Sequence, residues 1–175
     1  GGDRGSAHRP AGGVRVALTV PAGTPFLDLG PLLHPARVAF LPAGTSRRAA
    51  LDRLIDLTAS AFFSAADRAA FAKAIHDREE LTTTAIGGGV AIPHARLPTL
   101  PGCLLSVGIA PDGLDFAARD GVPVQLVLMI AARDCDRSEH LRVLASAAAL
   151  LRDPLRRRRV LGARDGAEAV AAIAG

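Results

Sequence analysis

Apolar residues recur with two different periods along this chain, and each change of period marks a new element. "RVAFL" from Arg37 reads as a first strand and "PAGTS" as a turn. Thr45 or Ser46 then caps a helix to about Ser60, with Ala50, Leu51, Leu54, Ile55 and Leu57 on its buried side. Ser64 followed by Asp67 has the form of a capping box that opens a second helix. Phe71 and Ile75, one turn apart, anchor that helix to the core, and it ends near "HDREE". "LTTTAIGGGVAIPHAR", residues 81–96, reads as a hairpin whose short apolar run finishes at Pro93 and His94. "LLSVGIA" from Leu104 is a further strand and "APDGLDF" a turn. "VQLVLMIAA" is a continuous apolar strand of the kind found deep in a sheet.

The remaining segments are helical. "CDRSEHLRVLASAAALLRDP" is strongly amphipathic, capped by Asp136 (with Glu139 three residues on) or by Ser138. Its expected buried stripe is Leu141, Leu144, Ala148 and Leu151, and Asp153–Pro154 closes it. A basic helix and a last one, "DGAEAVAAIA", complete the chain. Helices before and after a mostly apolar sheet predict an α/β sandwich. Residues 1–30 stand apart as a Gly/Pro-rich N-terminal extension. Val14, Val16, Leu18 and Val20 alternate there, so the segment reads as one extra edge strand or as the remains of a linker. "RVALTVPAGT" from Arg15 echoes "RVAFLPAGT" from Arg37, a match too short to establish a repeat.

Composition narrows the class. The 175 residues, 49% of them apolar, suffice for one domain with a real core, here expected over 31–175. "VPVQLVLMIAA" is shorter than the roughly 18–20 apolar residues of a membrane span, and the start does not read as a basic-then-apolar secretory leader. A chain not embedded in a membrane, located in the cytoplasm, is the resulting expectation. The first residue is glycine, as in a processed or excised piece. Cys103 and Cys135 are far apart and read as reduced thiols rather than as a metal cluster. The charge excess, 21 − 17 = 4, does not by itself imply nucleic acid, and with no Trp or Tyr there are no stacking platforms for single strands. The run Arg156–Arg159 reads as a solvated helix face, with a docking surface for an acidic partner or phosphates as the sharper alternative.

Of five histidines, His8 and His34 read as incidental, and His76 as a helper of the last carbonyls of its helix. His140 falls in the first turn of a helix, where the dipole favours neutral imidazole and free N–H groups favour an anion. If the sheet brings His94 to it, the pocket holds two imidazoles at an anion-friendly helix end. Arg78 offers a planar cation for phosphate oxygens. Thr82, Thr83 and Thr84 offer hydroxyls, and Gly87, Gly88 and Gly89 allow close backbone approach. From the residues alone, His94 remains either a structural strand-end residue or a nucleophile, and the glycines merely a turn.

"REELTTTAIGGGVAIPHAR" from Arg78, "GLDFAARDGVPVQLVLMIAA" from Gly113 and "EHLRVLASAAALLRD" from Glu139 together resemble the enzyme IIA class of fructose, mannitol and nitrogen-regulatory type, from the bacterial phosphoenolpyruvate-dependent sugar phosphotransferase system. The likeness runs from about Leu32 to Ile173. It implies a mixed, mostly parallel sheet flanked by helices on both faces, a three-layer α/β/α sandwich. It further implies that His94 accepts a phosphoryl group from an HPr-like phosphocarrier protein. His140 would hydrogen-bond that group and Arg78 would stabilise its charge, with Thr83, Thr84, Gly87, Gly88 and Gly89 around the phosphate and neither cofactor nor metal. The group then passes to the cysteine of a IIB domain, or acts as a signal to a regulatory protein. A degenerate, never-phosphorylated binding module is the remaining alternative. In the family, asparagine usually stands where this chain has Gly88.

Overall fold

The computed structural model describes residues 26–60, 62–134 and 137–175. The candidate strand at Val14–Val20, the thiol of Cys135 and the candidate cap Asp136 lie outside them. Strands β1 (Val38–Phe40), β2 (Ala85–Gly87), β3 (Val90–Ala91), β4 (His94–Leu97), β5 (Leu104–Leu114) and β6 (Val124–Arg133) form one mixed sheet. Its order is β1-β5-β6-β3-β2, with β4 also paired to β6. Among the described residues three ladders are parallel (β1 with β5, and β3 and β4 with β6), while the longest, β5 with β6, is antiparallel.

Among the described residues five α-helices cover the sheet: α1 (Arg47–Ala59), α2 (Ala65–Leu81), α3 (Arg137–Arg152), α4 (Pro154–Leu161) and α5 (Gly166–Ala174). Strand β6 explains how they divide. Leu126, Leu128, Ile130 and Ala132 pack with Val143, Leu144, Ala147, Val160 and Ile173 of α3–α5. Val127, Met129 and Ala131 pack with Leu51, Leu54, Ile55, Phe71 and Ile75 of α1 and α2. Both faces of the strand are therefore buried, which is why its sequence is continuously apolar. The result is a three-layer α/β/α sandwich. Leu29, just before the expected boundary, is also buried in the α3–α5 core.

The expected caps form. Ser46 accepts from the Ala49 amide at 3.1 Å, and Ser64 and Asp67 make a reciprocal capping box. Asp153–Pro154 ends α3 as expected, and beyond those expectations Asp153 also caps α4 and Asp165 caps α5.

Four local expectations need correction. "APDGLDF" is not a turn: β5 continues through it to Leu114, which pairs with Val124 after a register shift. Leu114 and Val124 are both buried, so resuming the ladder there keeps two apolar side chains in the core, and the chain reverses over 115–123 instead. Second, His94 opens a strand rather than ending one. Pro93 has no N–H to give the ladder, so the chain leaves β3 and re-enters the sheet as β4. Third, Leu141 is 54% exposed. The buried residues of α3 are His140, Val143, Leu144, Ala145, Ser146, Ala147, Ala148 and Leu151, and Leu141 lies roughly 90° from their centre. Finally, Ser138 lies inside α3 rather than before it.

Candidate functional site

The last turn of α2 and the hairpin that follows are tied together by a buried acid. Glu79, 6% exposed, accepts from the Thr84 amide at 3.2 Å and from its hydroxyl at 2.5 Å. Arg47 reaches the same carboxylate at 3.8 Å. Arg78, one residue earlier, donates from Nη1 to the Thr82 carbonyl at 3.0 Å. The Thr84 carbonyl in turn accepts from the Ile92 amide at 3.0 Å, which sets β3 beside it and delivers Pro93 and His94 to the edge of β6.

His94 Nδ1 lies 2.8 Å from the Ile92 carbonyl oxygen. A carbonyl only accepts, so Nδ1 carries the proton and Nε2 keeps its lone pair. Parity along β4 decides where the ring points. Ala95 and Leu97 belong to the α1–α2 core, so His94 and Arg96 project to the α3 face. There the His94 ring meets His140 of α3, with centroids 5.4 Å apart and planes inclined by 50°. His140 is 8% exposed, and its buried Nδ1 has no hydrogen-bond partner among the described residues. Arg96 Nη1 lies 3.6 Å from Asp134 Oδ1, in the connection between β6 and α3.

Both rings are neutral at pH 7. Burial pushes the His94 pKa below its ordinary value, and the Arg78 and Arg96 charges lower it further, against the opposing pull of the Ile92 carbonyl and Glu79. Burial likewise lowers the His140 pKa from 6.5 to about 4, helped by His94 and by Arg96. An unprotonated nitrogen with a fixed tautomer, a second neutral imidazole and two guanidiniums make a site suited to an anionic electrophile.

Residues 31–175 match the model of the family described as the phosphoenolpyruvate-dependent sugar phosphotransferase system, EIIA 2. The chain belongs to this family. It is similar to the nitrogen regulatory protein of Bradyrhizobium diazoefficiens, 42% identical over 87 residues, which are 50% of this chain and 56% of that protein. A fructose-specific EIIABC component of Bacillus subtilis is 40% identical over 85 residues, 49% of this chain but only 13% of its own length. The chain thus spans about half of one of these relatives and a small part of the other. The nitrogen regulatory protein of Pseudomonas aeruginosa is 32% identical over 125 residues, 71% of this chain and 80% of that one. Among solved structures, nitrogen regulatory protein IIA-Ntr of Neisseria meningitidis shares the fold with a TM-score of 0.72 and 24% identity, covering 83% of this chain and 98% of that one. The mannitol IIA in complex with phosphorylated IIB from Escherichia coli does so at 0.67 and 22%, covering 82% and 97%. No helix among the described residues is long and apolar enough to cross a membrane.

Within this EIIA chain the structure brings His94 and His140 together, with Arg78 close enough for its charge to act on His94. The threonines and glycines expected around a phosphate are occupied or distant. Thr83 donates its hydroxyl to the Phe116 carbonyl at 2.6 Å, and the Thr84 hydroxyl is taken by Glu79. The turn Gly87–Gly89 sits at the other end of β6. The Gly89 carbonyl accepts from the Gln125 amide, whereas His94 is in register with Ile130, five residues or roughly 16 Å further along. Gly88 is held there by Asp120, which accepts from its amide at 2.8 Å, and by Arg157, which donates to its carbonyl at 2.9 Å.

Arg157 and Arg156, which donates to the Ile173 carbonyl, are therefore structural, while Arg158 and Arg159 are exposed. His76 contacts Asp52 of α1 at 2.7 Å instead of its own helix end, and His34 Nδ1 accepts from the Ala36 amide. Sequence reasoning missed Glu79 and Arg96. The signal for Arg96 was available in "PHAR", since residues two apart on a strand share a face.

Proposed function

We propose that this chain is a phosphocarrier of the phosphotransferase system, with His94 as the phosphoryl acceptor. The observation that carries the reading is the hydrogen bond from His94 Nδ1 to the Ile92 carbonyl, which leaves Nε2 as an unprotonated, oriented nucleophile. In the transfer the Nε2 lone pair attacks phosphorus, and the bond from phosphorus to the donor nitrogen breaks with its electron pair returning to the donor. Charge on the equatorial oxygens is met by Arg78 and by a hydrogen bond from His140. The donor is an HPr-like phosphocarrier. Onward transfer reverses the geometry, with a IIB cysteine thiolate attacking the same phosphorus and His94 leaving as neutral imidazole. Relatives named as a fructose-specific phosphotransferase component and as a nitrogen regulatory protein are both similar to this chain, which supports phospho-His94 serving either a IIB domain or a regulatory protein in the cytoplasm.

The test is labelling with phosphoenolpyruvate, enzyme I and HPr. Acid-labile, base-stable phosphate is expected on the wild type and absent from His94→Ala. Label that persists in the variant removes His94 from the role. An unlabelled wild type leaves the protein-binding module as the reading.

A further inference from the structure

We propose that Arg96 is a second phosphate-binding cation of this site, parked on Asp134 until a phosphoryl group reaches His94. The inference rests on the phosphocarrier reading above and adds a residue and a resting partner to it.

Three observations converge on Arg96. Its place two residues after His94, with Ala95 and Leu97 committed to the opposite core, puts its side chain on the α3 face that carries His140. Arg78 belongs to α2, whose Phe71 and Ile75 pack in the α1–α2 layer, so the two guanidiniums approach His94 from different layers of the sandwich. The same placement agrees with the Arg96 charge lowering the pKa of both imidazoles. Its ion pair with Asp134 is long, at 3.6 Å, with the two side chains 32% and 52% exposed. Such a pair is weak and easily exchanged. A phosphoryl group on His94 offers two oxygens to the planar guanidinium fork, and more charge than a single carboxylate oxygen at that distance. Asp134 is itself fixed, its amide donating to the Leu97 carbonyl at 3.2 Å, so it can hold Arg96 without following it.

The experiment uses the full chain with phosphoramidate, a small donor that needs no docking protein, and reads the rate of His94 phosphorylation by 31P NMR. Thermal midpoints are measured alongside. Arg96→Gln is expected to slow acceptance about tenfold with an unchanged midpoint, the loss of one charge-assisted bond. Arg96→Lys is expected to recover part of the rate. Asp134→Asn, which removes the competing anion, is expected to match or exceed the wild type. Arg96→Gln at the wild-type rate overturns the proposal. So does equal slowing in Arg96→Gln and Asp134→Asn, because the ion pair would then serve the loop rather than the phosphate. A wild type that takes no phosphate from either phosphoramidate or phospho-HPr overturns the phosphocarrier reading itself, a different result.

Discussion

Glu79 and Thr84 make a closed pair: the carboxylate at the end of α2 takes both the amide and the hydroxyl of the first hairpin residues, buried from water. The last turn of α2, which carries Arg78, is thereby tied to the residue that leads into β2. Glu79→Ala strands a buried N–H and O–H and is expected to cost about 3 kcal/mol. Urea unfolding measures the loss. The same variant should slow phosphoryl acceptance without abolishing it, since His94 keeps its own bond to Ile92. Wild-type stability would mean that water replaces the carboxylate.

The His94 tautomer is directly observable. Long-range 15N NMR at pH 7 should show a protonated Nδ1 and a bare Nε2, and phosphorylation should then shift Nε2. A free Nδ1 in the unphosphorylated protein would contradict the bond to the Ile92 carbonyl and reverse the assignment of the nucleophile.

Much of this was legible in the sequence where local chemistry decides. Ser46 and the Ser64–Asp67 box set helix starts through their own side chains and form as expected, and Asp153–Pro154 ends α3 as expected. His94 and His140 were identifiable as candidates, but their meeting depends on β4 entering beside β6 and on α3 following directly, which is tertiary. Arg96 and Glu79 looked like ordinary charges because burial and facing direction are not local properties. The place of the glycine turn was not legible for a related reason. Its residues are near His94 in sequence, yet a strand of intervening length carries them to the opposite end of the sheet.

His140 links the site to pH. Its folded pKa of about 4 lies below the ordinary 6.5, so the unfolded chain binds more protons between those values. Stability therefore rises with pH across that window and is lost as pH falls from about 6.5 towards 4. The loss from this group is at most about 3 kcal/mol. Imidazole titration by NMR should show His140 neutral down to about pH 4. Phosphorylation of His94 sets a negative charge beside His140 that opposes the burial penalty. The His140 pKa should then rise. An unchanged titration in the phosphorylated protein would separate His140 from the phosphoryl group.

Gly88 adopts a φ of +63°, a region in which asparagine is the best tolerated side chain after glycine. A Cβ there would stand 2.8 Å from Arg157 Nη1, the end of a long side chain. Gly88→Asn should therefore displace the guanidinium rather than the backbone, losing its bond to the Gly88 carbonyl at a cost of about 1 kcal/mol. Asp120 still holds the amide, so the turn survives. In an Arg157→Ala background the substitution should cost much less, because the atom it meets is gone; additive losses would show that the strain lies in the backbone. The rate of His94 phosphorylation from a small donor should not change in either background, since the turn is at the far end of β6. A changed rate would mean that the glycine loop reaches the phosphate after all. Slowing with phospho-HPr alone would assign the loop to the docking of the partner, as a contact remote from the chemistry.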